Sequence, residues 1–284
     1  MVLSEDIKTT VYFSDLLALG YPRLWGRICD AMSAYGYTAG KLTHTKDFWC
    51  RDFMPIQVGS NQYVQYIYDP DYLANTRSYK TKQDEAVSNL KDFIPMVTKS
   101  NLVIDGGNIV ACRNNRGESW AIMTDKVFVE NPDLSREEIT SELETGLGAK
   151  VVWLPWDKED TCGHTDGIVN FIDGSSEKPS IMAYFALYPK KIATEMRKRL
   201  KEVFDVHELK FSKDEENNWA YVNLLRTKDF ILVPGLGTDS DSEALRQIEL
   251  LYPNYEGRIH QVNIAPIVEK YGGAFNCLTW TVLE

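Results

Sequence analysis

Five stretches of helical periodicity, each accompanied by short strand-like runs, set the tightest limit on what this chain can fold into. After Pro22 a stripe of Leu24, Ile28, Met32 and Tyr35 leads to a stop at Gly36. A second stripe runs from about 84 to 93 through Val87, Leu90 and Ile94, with Pro95 ending it. A third opens at Ser135 with Glu138 three residues on, a capping-box pattern, and continues through Ile139, Leu143 and Leu147 to Gly148. A fourth starts at Pro189 and shows Ile192, Met196, Leu200 and Val203; a fifth covers about 240–251 through Ala244, Leu245, Ile248 and Leu251. Apolar residues three and four apart share one helix face, Pro suits a first turn and Gly a stop. Runs at 63–68, 101–104, 120–123, 127–129, 151–154, 168–172, 220–225, 230–233 and 259–264 read as strands. One strand per helix would give a conventional open α/β sheet. Several strands per helix point instead to repeated mixed α/β units, and no Pro, Gly or Ser run divides the chain, so residues 1–284 read as a single domain.

Polar residues recur on a matching interval. Asp52, Asp105, His164, Asn223 and Cys277 are separated by 53, 59, 59 and 54 residues, near one fifth of the 284-residue chain, about 57. Five units around a centre would each deliver one of these residues to the same place. Taken singly, each has a plain reading. Cys277, between Gly272-Gly273 and Leu278-Thr279, is either a nucleophile or a buried core thiol. Trp49-Cys50-Arg51-Asp52 offers a carboxylate beside an indole, which suits a planar cation, or a core tryptophan beside a surface Arg-Asp pair. Asp105, before Gly106-Gly107, is a site carboxylate or a turn cap. His164 and Asp166 lie two apart in a glycine-flanked segment and can share a pocket if it is extended. His164 suits proton transfer better than metal binding, since no second His or Cys has ligand spacing. Asn223 in a strand-like run reads as structural.

The net charge of −10 argues against a nucleic-acid binder, which needs a concentrated Lys/Arg face, and fits either a cationic ligand or a solvated acidic surface. Cys29, Cys50, Cys112, Cys162 and Cys277 are widely spaced and odd in number, which is neither a disulfide scaffold nor a zinc pattern. No export-type start and no transmembrane-length run is found, so the expectation is a cytoplasmic protein without membrane partners.

Four segments in order, 47–55 (Asp-Phe-Trp-Cys-Arg-Asp-Phe-Met-Pro), 105–108 (Asp-Gly-Gly-Asn), 163–166 (Gly-His-Thr-Asp) and 272–279 (Gly-Gly-Ala-Phe-Asn-Cys-Leu-Thr), resemble the agmatine deiminase and bacterial peptidylarginine deiminase family. The resemblance implies the fold of the guanidino-group-modifying enzymes, a five-bladed α/β propeller of ββαβ units (the pentein fold). It implies Cys277 as nucleophile, His164 as general acid and base, and Asp52 and Asp166 as the carboxylates that grip a guanidinium. Asp105 matches a further carboxylate toward the substrate, standing where many agmatine enzymes have Glu. Trp49 would line the pocket, Asn223 would support the site, and Arg77 falls where the peptidyl enzymes hold a substrate carboxylate. No cofactor or metal is implied. The expected partner is a small cationic guanidine (agmatine or arginine) or an arginine-containing peptide, and a homo-oligomer is left open. Ala274-Phe275-Asn276 departs from the Gly and His that agmatine enzymes usually carry before Cys, which leaves the substrate undecided. The expected reaction is hydrolytic deimination through a covalent thiouronium; an amidinotransferase, another cysteine hydrolase and a non-catalytic binder of a cationic ligand are the rivals.

Overall fold

One pattern recurs in five three-stranded sheets of a computed structural model that describes residues 1–88, 90 and 96–284. A first strand pairs antiparallel with a second, a helix crosses over, and a third strand joins the second in parallel. Ile56–Gly59, Gln62–Ile67 and Met96–Val103 form one such sheet, and Val110–Arg113, Ser119–Thr124 and Lys150–Leu154 the next. Val169–Asp173, Ser180–Ala183 and Asp205–Glu208 follow, then Leu225–Arg226, Ile231–Gly235 and Ile259–Asn263. The fifth sheet is assembled from distant parts of the chain: Thr279–Val282 pairs antiparallel with Thr10–Ser14, which runs parallel to Gly40–Leu42. The expected five-bladed propeller of ββαβ units is therefore the fold, with its ring closed where residues 279–282 meet residues 10–14.

The crossover helices bury the faces their periodicity announces. Pro22–Ser33 buries Leu24, Ile28 and Met32, and Arg136–Leu147 buries Ile139, Leu143 and Leu147. Ser135 and Glu138 exchange backbone and side-chain hydrogen bonds as a full capping box. Lys190–Val203 buries Met196 and Leu200 of its expected stripe together with Ala193, and Ile192 and Val203 pack half-buried against the same core. Ser240–Leu251 buries Ala244 and Ile248. The second helix is described only as Gln83–Ser88, and the expected Ile94 and Pro95 lie outside the described residues.

Two expected strands are helical. Val127–Glu130 forms a turn of helix because Asn131 reaches back to both backbone groups of Val103, at 2.8 and 3.0 Å, and folds the segment across the sheet end. The run at 220–225 holds a 3-10 turn, Asn218–Tyr221, and only Leu225–Arg226 is strand. Residues 220–225 are buried on every side, so their apolar run had no period to separate helix from strand.

Ahead of the first strand in each sheet stands one short turn: Cys50–Phe53, Gly106–Asn108, Thr165–Gly167, Asn218–Tyr221 and Phe275–Leu278. Hydrogen bonds tie these turns and their flanks to one another. Gly107 donates to Asp52, Thr165 to Asn108, Asn276 to Asp166, Cys277 to Asn223 and Arg51 to the Asn276 carbonyl. The near-even spacing of Asp52, Asp105, His164, Asn223 and Cys277 is the spacing of these turns.

Candidate active site

The first of the inner turns is set by Asp47, whose Oδ1 accepts from Trp49 N–H at 3.0 Å while Oδ2 accepts from the Thr81 hydroxyl at 2.7 Å. That link fixes Trp49, the residue just ahead of Cys50–Phe53, and Asp52 in this turn is buried, 5% exposed, at the ring centre. The neighbouring Asp105-Gly106-Gly107 segment is shaped by close approach. A Cβ on Gly107 would lie 2.7 Å from both Asp52 Oδ1 and His164 Nδ1, so only glycine lets its N–H reach Asp52 Oδ1 at 3.0 Å. Gly273 serves Trp49 in the same way: a Cβ there would stand 2.2 Å from the indole ring.

His164 sits between two carboxylates. Its Nε2 is 3.2 Å from Asp105 Oδ2, and its Nδ1 is 3.7 Å from Asp52 Oδ1, beyond hydrogen-bond distance. Burial alone would push the imidazolium toward losing its proton, but the charge of Asp52 and the hydrogen bond to Asp105 outweigh it and raise the pKa well above the ordinary value. Burial raises Asp52 to about 7; the His164 charge opposes that rise, and the Asp105 and Asp166 charges add to it.

Across the centre, Cys277 stands in the turn Phe275–Leu278 rather than at the start of a strand, with Thr279–Val282 following directly. Asn223 grips it twice: Nδ2 donates to the sulfur at 3.2 Å and Oδ1 accepts from the Cys277 N–H at 3.2 Å. The thiol is 3.6 Å from Asp166 Oδ2, the oxygen that also accepts from Asn276 Nδ2 at 2.8 Å. Burial, then the charges of Asp166 and Asp52, push the Cys277 pKa well above its ordinary value. Burial and those two carboxylates favour the thiol over the thiolate in the free protein.

A cavity of about 740 Å³ brings together Trp49, Asp52, His164, Asp166 and Cys277. His164 and Asp166 share it although Thr165–Gly167 is a 3-10 turn rather than an extended segment. Asp105 and Asn223 lie behind the cavity wall, Asp105 against His164 and Asn223 against Cys277. Arg77 is exposed in the turn Arg77–Tyr79 and is not among the lining residues. Sequence reasoning passed over Tyr72, whose hydroxyl donates to Asp52 Oδ2 at 2.8 Å, and Tyr188, Trp219 and Tyr271, which widen the aromatic lining. Spacing gave no sign of Tyr72; it lies in the 3-10 turn Asp71–Leu73. Among the described residues no group of three or more His, Cys, Asp or Glu is arranged to hold a metal ion, and no helix is long and apolar enough to cross a membrane.

Comparison with known proteins adds to this geometry. Residues 41–282 match the family model of the Porphyromonas-type peptidyl-arginine deiminases. A relative from Photobacterium profundum, provisionally named an agmatine deiminase, is 25% identical over 216 residues, 64% of this chain and 58% of that protein. Another of the same provisional name, from Lactococcus lactis subsp. lactis, is 27% identical over 215 residues, 63% of this chain and 57% of that protein. The chain thus spans less than two thirds of these relatives' length. In three dimensions it is similar to the agmatine deiminase of C. jejuni, with a TM-score of 0.77 over 100% of this chain and 96% of that one, at 17% identity.

Proposed function

Because the chain belongs to the Porphyromonas-type peptidyl-arginine deiminase family, we propose that it hydrolyses the guanidinium of a small cationic substrate to a ureido group and ammonia. The observation that supports this best is the meeting of a thiol, an imidazole and two buried carboxylates on one cavity. Asp52 and Asp166 accept the paired N–H groups of the guanidinium and hold its carbon toward Cys277 Sγ. His164 uses Nδ1 for proton transfer while Asp105 holds Nε2.

As the guanidinium binds, Cys277 gives up its thiol proton to solvent, and attack by the thiolate forms a C–S bond. His164 gives its proton to the departing nitrogen, which leaves as ammonia, and an amidino group stays on sulfur. His164 then takes a proton from water as that water attacks the same carbon. The C–S bond breaks, sulfur regains its proton, and the ureido product leaves.

The cation itself is the better activator of the thiol. Asp166 and Asp52 hold the Cys277 pKa up in the free protein, and those are the charges a guanidinium neutralises. A unit cation about 4 Å from the sulfur contributes roughly 4 kcal/mol at an effective dielectric of about 20, about three pKa units. Attack is therefore coupled to occupancy.

None of the described lining residues is a lysine or arginine, and Asp157, Glu159, Asp160, Glu216 and Glu269 add five carboxylates to the wall. A carboxylate on the substrate meets like charge there, whereas a distal ammonium is welcomed. The substrate is a guanidine with an amine tail, as in agmatine, in preference to arginine or a C-terminal arginine.

A panel of agmatine, free arginine and peptides with internal or terminal arginine tests this. Agmatine should yield ammonia and a ureido product, and Cys277→Ala should abolish both. Turnover only when an acceptor amine is added would make the protein an amidinotransferase. Binding without turnover, with Cys277 inert to alkylation even at alkaline pH, would leave it a non-catalytic cation binder.

A further inference from the structure

Both oxygens of Asp52 already hold a partner from outside their own turn. Gly107 N–H donates to Oδ1 at 3.0 Å, and the Tyr72 hydroxyl donates to Oδ2 at 2.8 Å. A carboxylate offers about four lone-pair positions, so roughly two remain for the paired N–H groups of a guanidinium. With one donor on each oxygen, the carboxylate plane cannot rotate without breaking a bond.

Tyr72 is itself held from three sides. Its hydroxyl is 3.0 Å from that of Tyr68, and its ring meets the His164 ring edge-on at 6.1 Å and 79°. The preceding residue, Asp71, pairs at 3.2 Å with the buried Lys126 ammonium, which also pairs with Glu130 at 2.8 Å. Lys126 follows the middle strand of the next sheet, so the loop bearing Tyr72 is pinned across a blade boundary.

We propose that Tyr72 is a positioning residue of the site: its hydroxyl fixes Asp52 in the orientation that receives the substrate cation. This rests on the guanidine reading above. The alternative role, packing alone, needs the ring but not the hydroxyl. The hydroxyl has an electrostatic consequence too. Asp52 faces His164, Asp105, Asp166, Cys277, Cys162 and Tyr68, and burial favours its protonated form; the Tyr72 hydrogen bond favours the ionised one. Without that donor Asp52 keeps its proton to higher pH.

Tyr72→Phe in the full chain, with agmatine as the probe, separates the roles. A hydrogen bond to a charged group of this kind sets the expected rise in KM at about tenfold or more, with kcat held within about threefold. The acid limb of kcat/KM moves to higher pH by about one unit. Asp71→Asn, which loosens the Lys126 anchor, gives smaller shifts of the same sign and stands in if the first variant folds poorly. A binding arm compares the agmatine Kd of Cys277→Ala with that of Cys277→Ala/Tyr72→Phe, on both sides of the Asp52 titration. If the wild-type protein turns over no guanidine but the double variant still binds agmatine at least tenfold more weakly, the deiminase reading fails and the role of Tyr72 stands. Unchanged KM and Kd, an unshifted acid limb with only kcat reduced, or no agmatine binding by Cys277→Ala would each overturn the proposal.

Discussion

His164 and Asp52 set the pH range in which the site can work. In the proposed reaction Asp52, raised to about 7 by burial, must lose its proton to hold a guanidinium, so kcat/KM should rise as pH climbs through about 7. His164, held well above the ordinary histidine value by Asp52 and Asp105 against the effect of burial, keeps the proton that the proposed reaction asks it to donate, so activity should fall only at alkaline pH. A pH-rate profile checks both limbs, and a flat profile across neutrality would contradict them. Asp105→Asn removes the negative charge hydrogen-bonded to Nε2; the alkaline limb should move to lower pH while the acid limb stays above that of an exposed aspartate. At this scale the sequence was informative wherever chemistry singles out a residue type. Cys277, His164 and Asp166 were legible as polar residues near glycines and Asp52 as a carboxylate beside an indole, and they converge. Asp105 and Asn223 were legible too, but their places behind His164 and Cys277 were not, since a side chain's partner depends on a neighbouring blade. Tyr72 left no trace because the single 3-10 turn Asp71–Leu73 is too short to show a period.

The elements that hold these residues are short and depend on close approach. Gly273→Ala would drive a methyl into the Trp49 ring, displacing the indole from the cavity wall. A several-fold rise in KM for agmatine, with a lowered thermal midpoint, is the expected outcome. Ser135→Ala acts elsewhere: it removes one half of a capping box and should cost about 1 kcal/mol in denaturant unfolding without altering turnover. Helices with a buried stripe and capping residues were readable from periodicity, as Arg136–Leu147 shows down to its cap. Single-turn elements were not. Phe275–Leu278 and Asn218–Tyr221 are entirely or largely buried, and four residues are too few to display a 3.6-residue period. The strands Thr10–Ser14 and Ser180–Ala183 also passed unnoticed.

Across the whole molecule, five sheets of one topology place five turns at a common centre, which explains why residues more than 200 positions apart in sequence share one cavity. The even interval hinted at this arrangement; the ring closure did not show, because it joins the two ends of the numbering. That closure has a consequence for the order of events in folding. Cys277 lies two residues ahead of Thr279–Val282, and its strand can dock only when Thr10–Ser14 is already in place to receive it. Contacts of such sequence separation form slowly, since the entropy of closing the long loop is lost before any contact compensates it. Four blades can therefore mature while the sulfur still lacks its pocket. On dilution from denaturant, turnover should return with the slowest kinetic phase, after far-UV ellipticity has largely recovered; activity that tracked the earliest phase would contradict this. On the proposed mechanism, docking of the closing strand would then be the step at which a half-built ring gains its nucleophile.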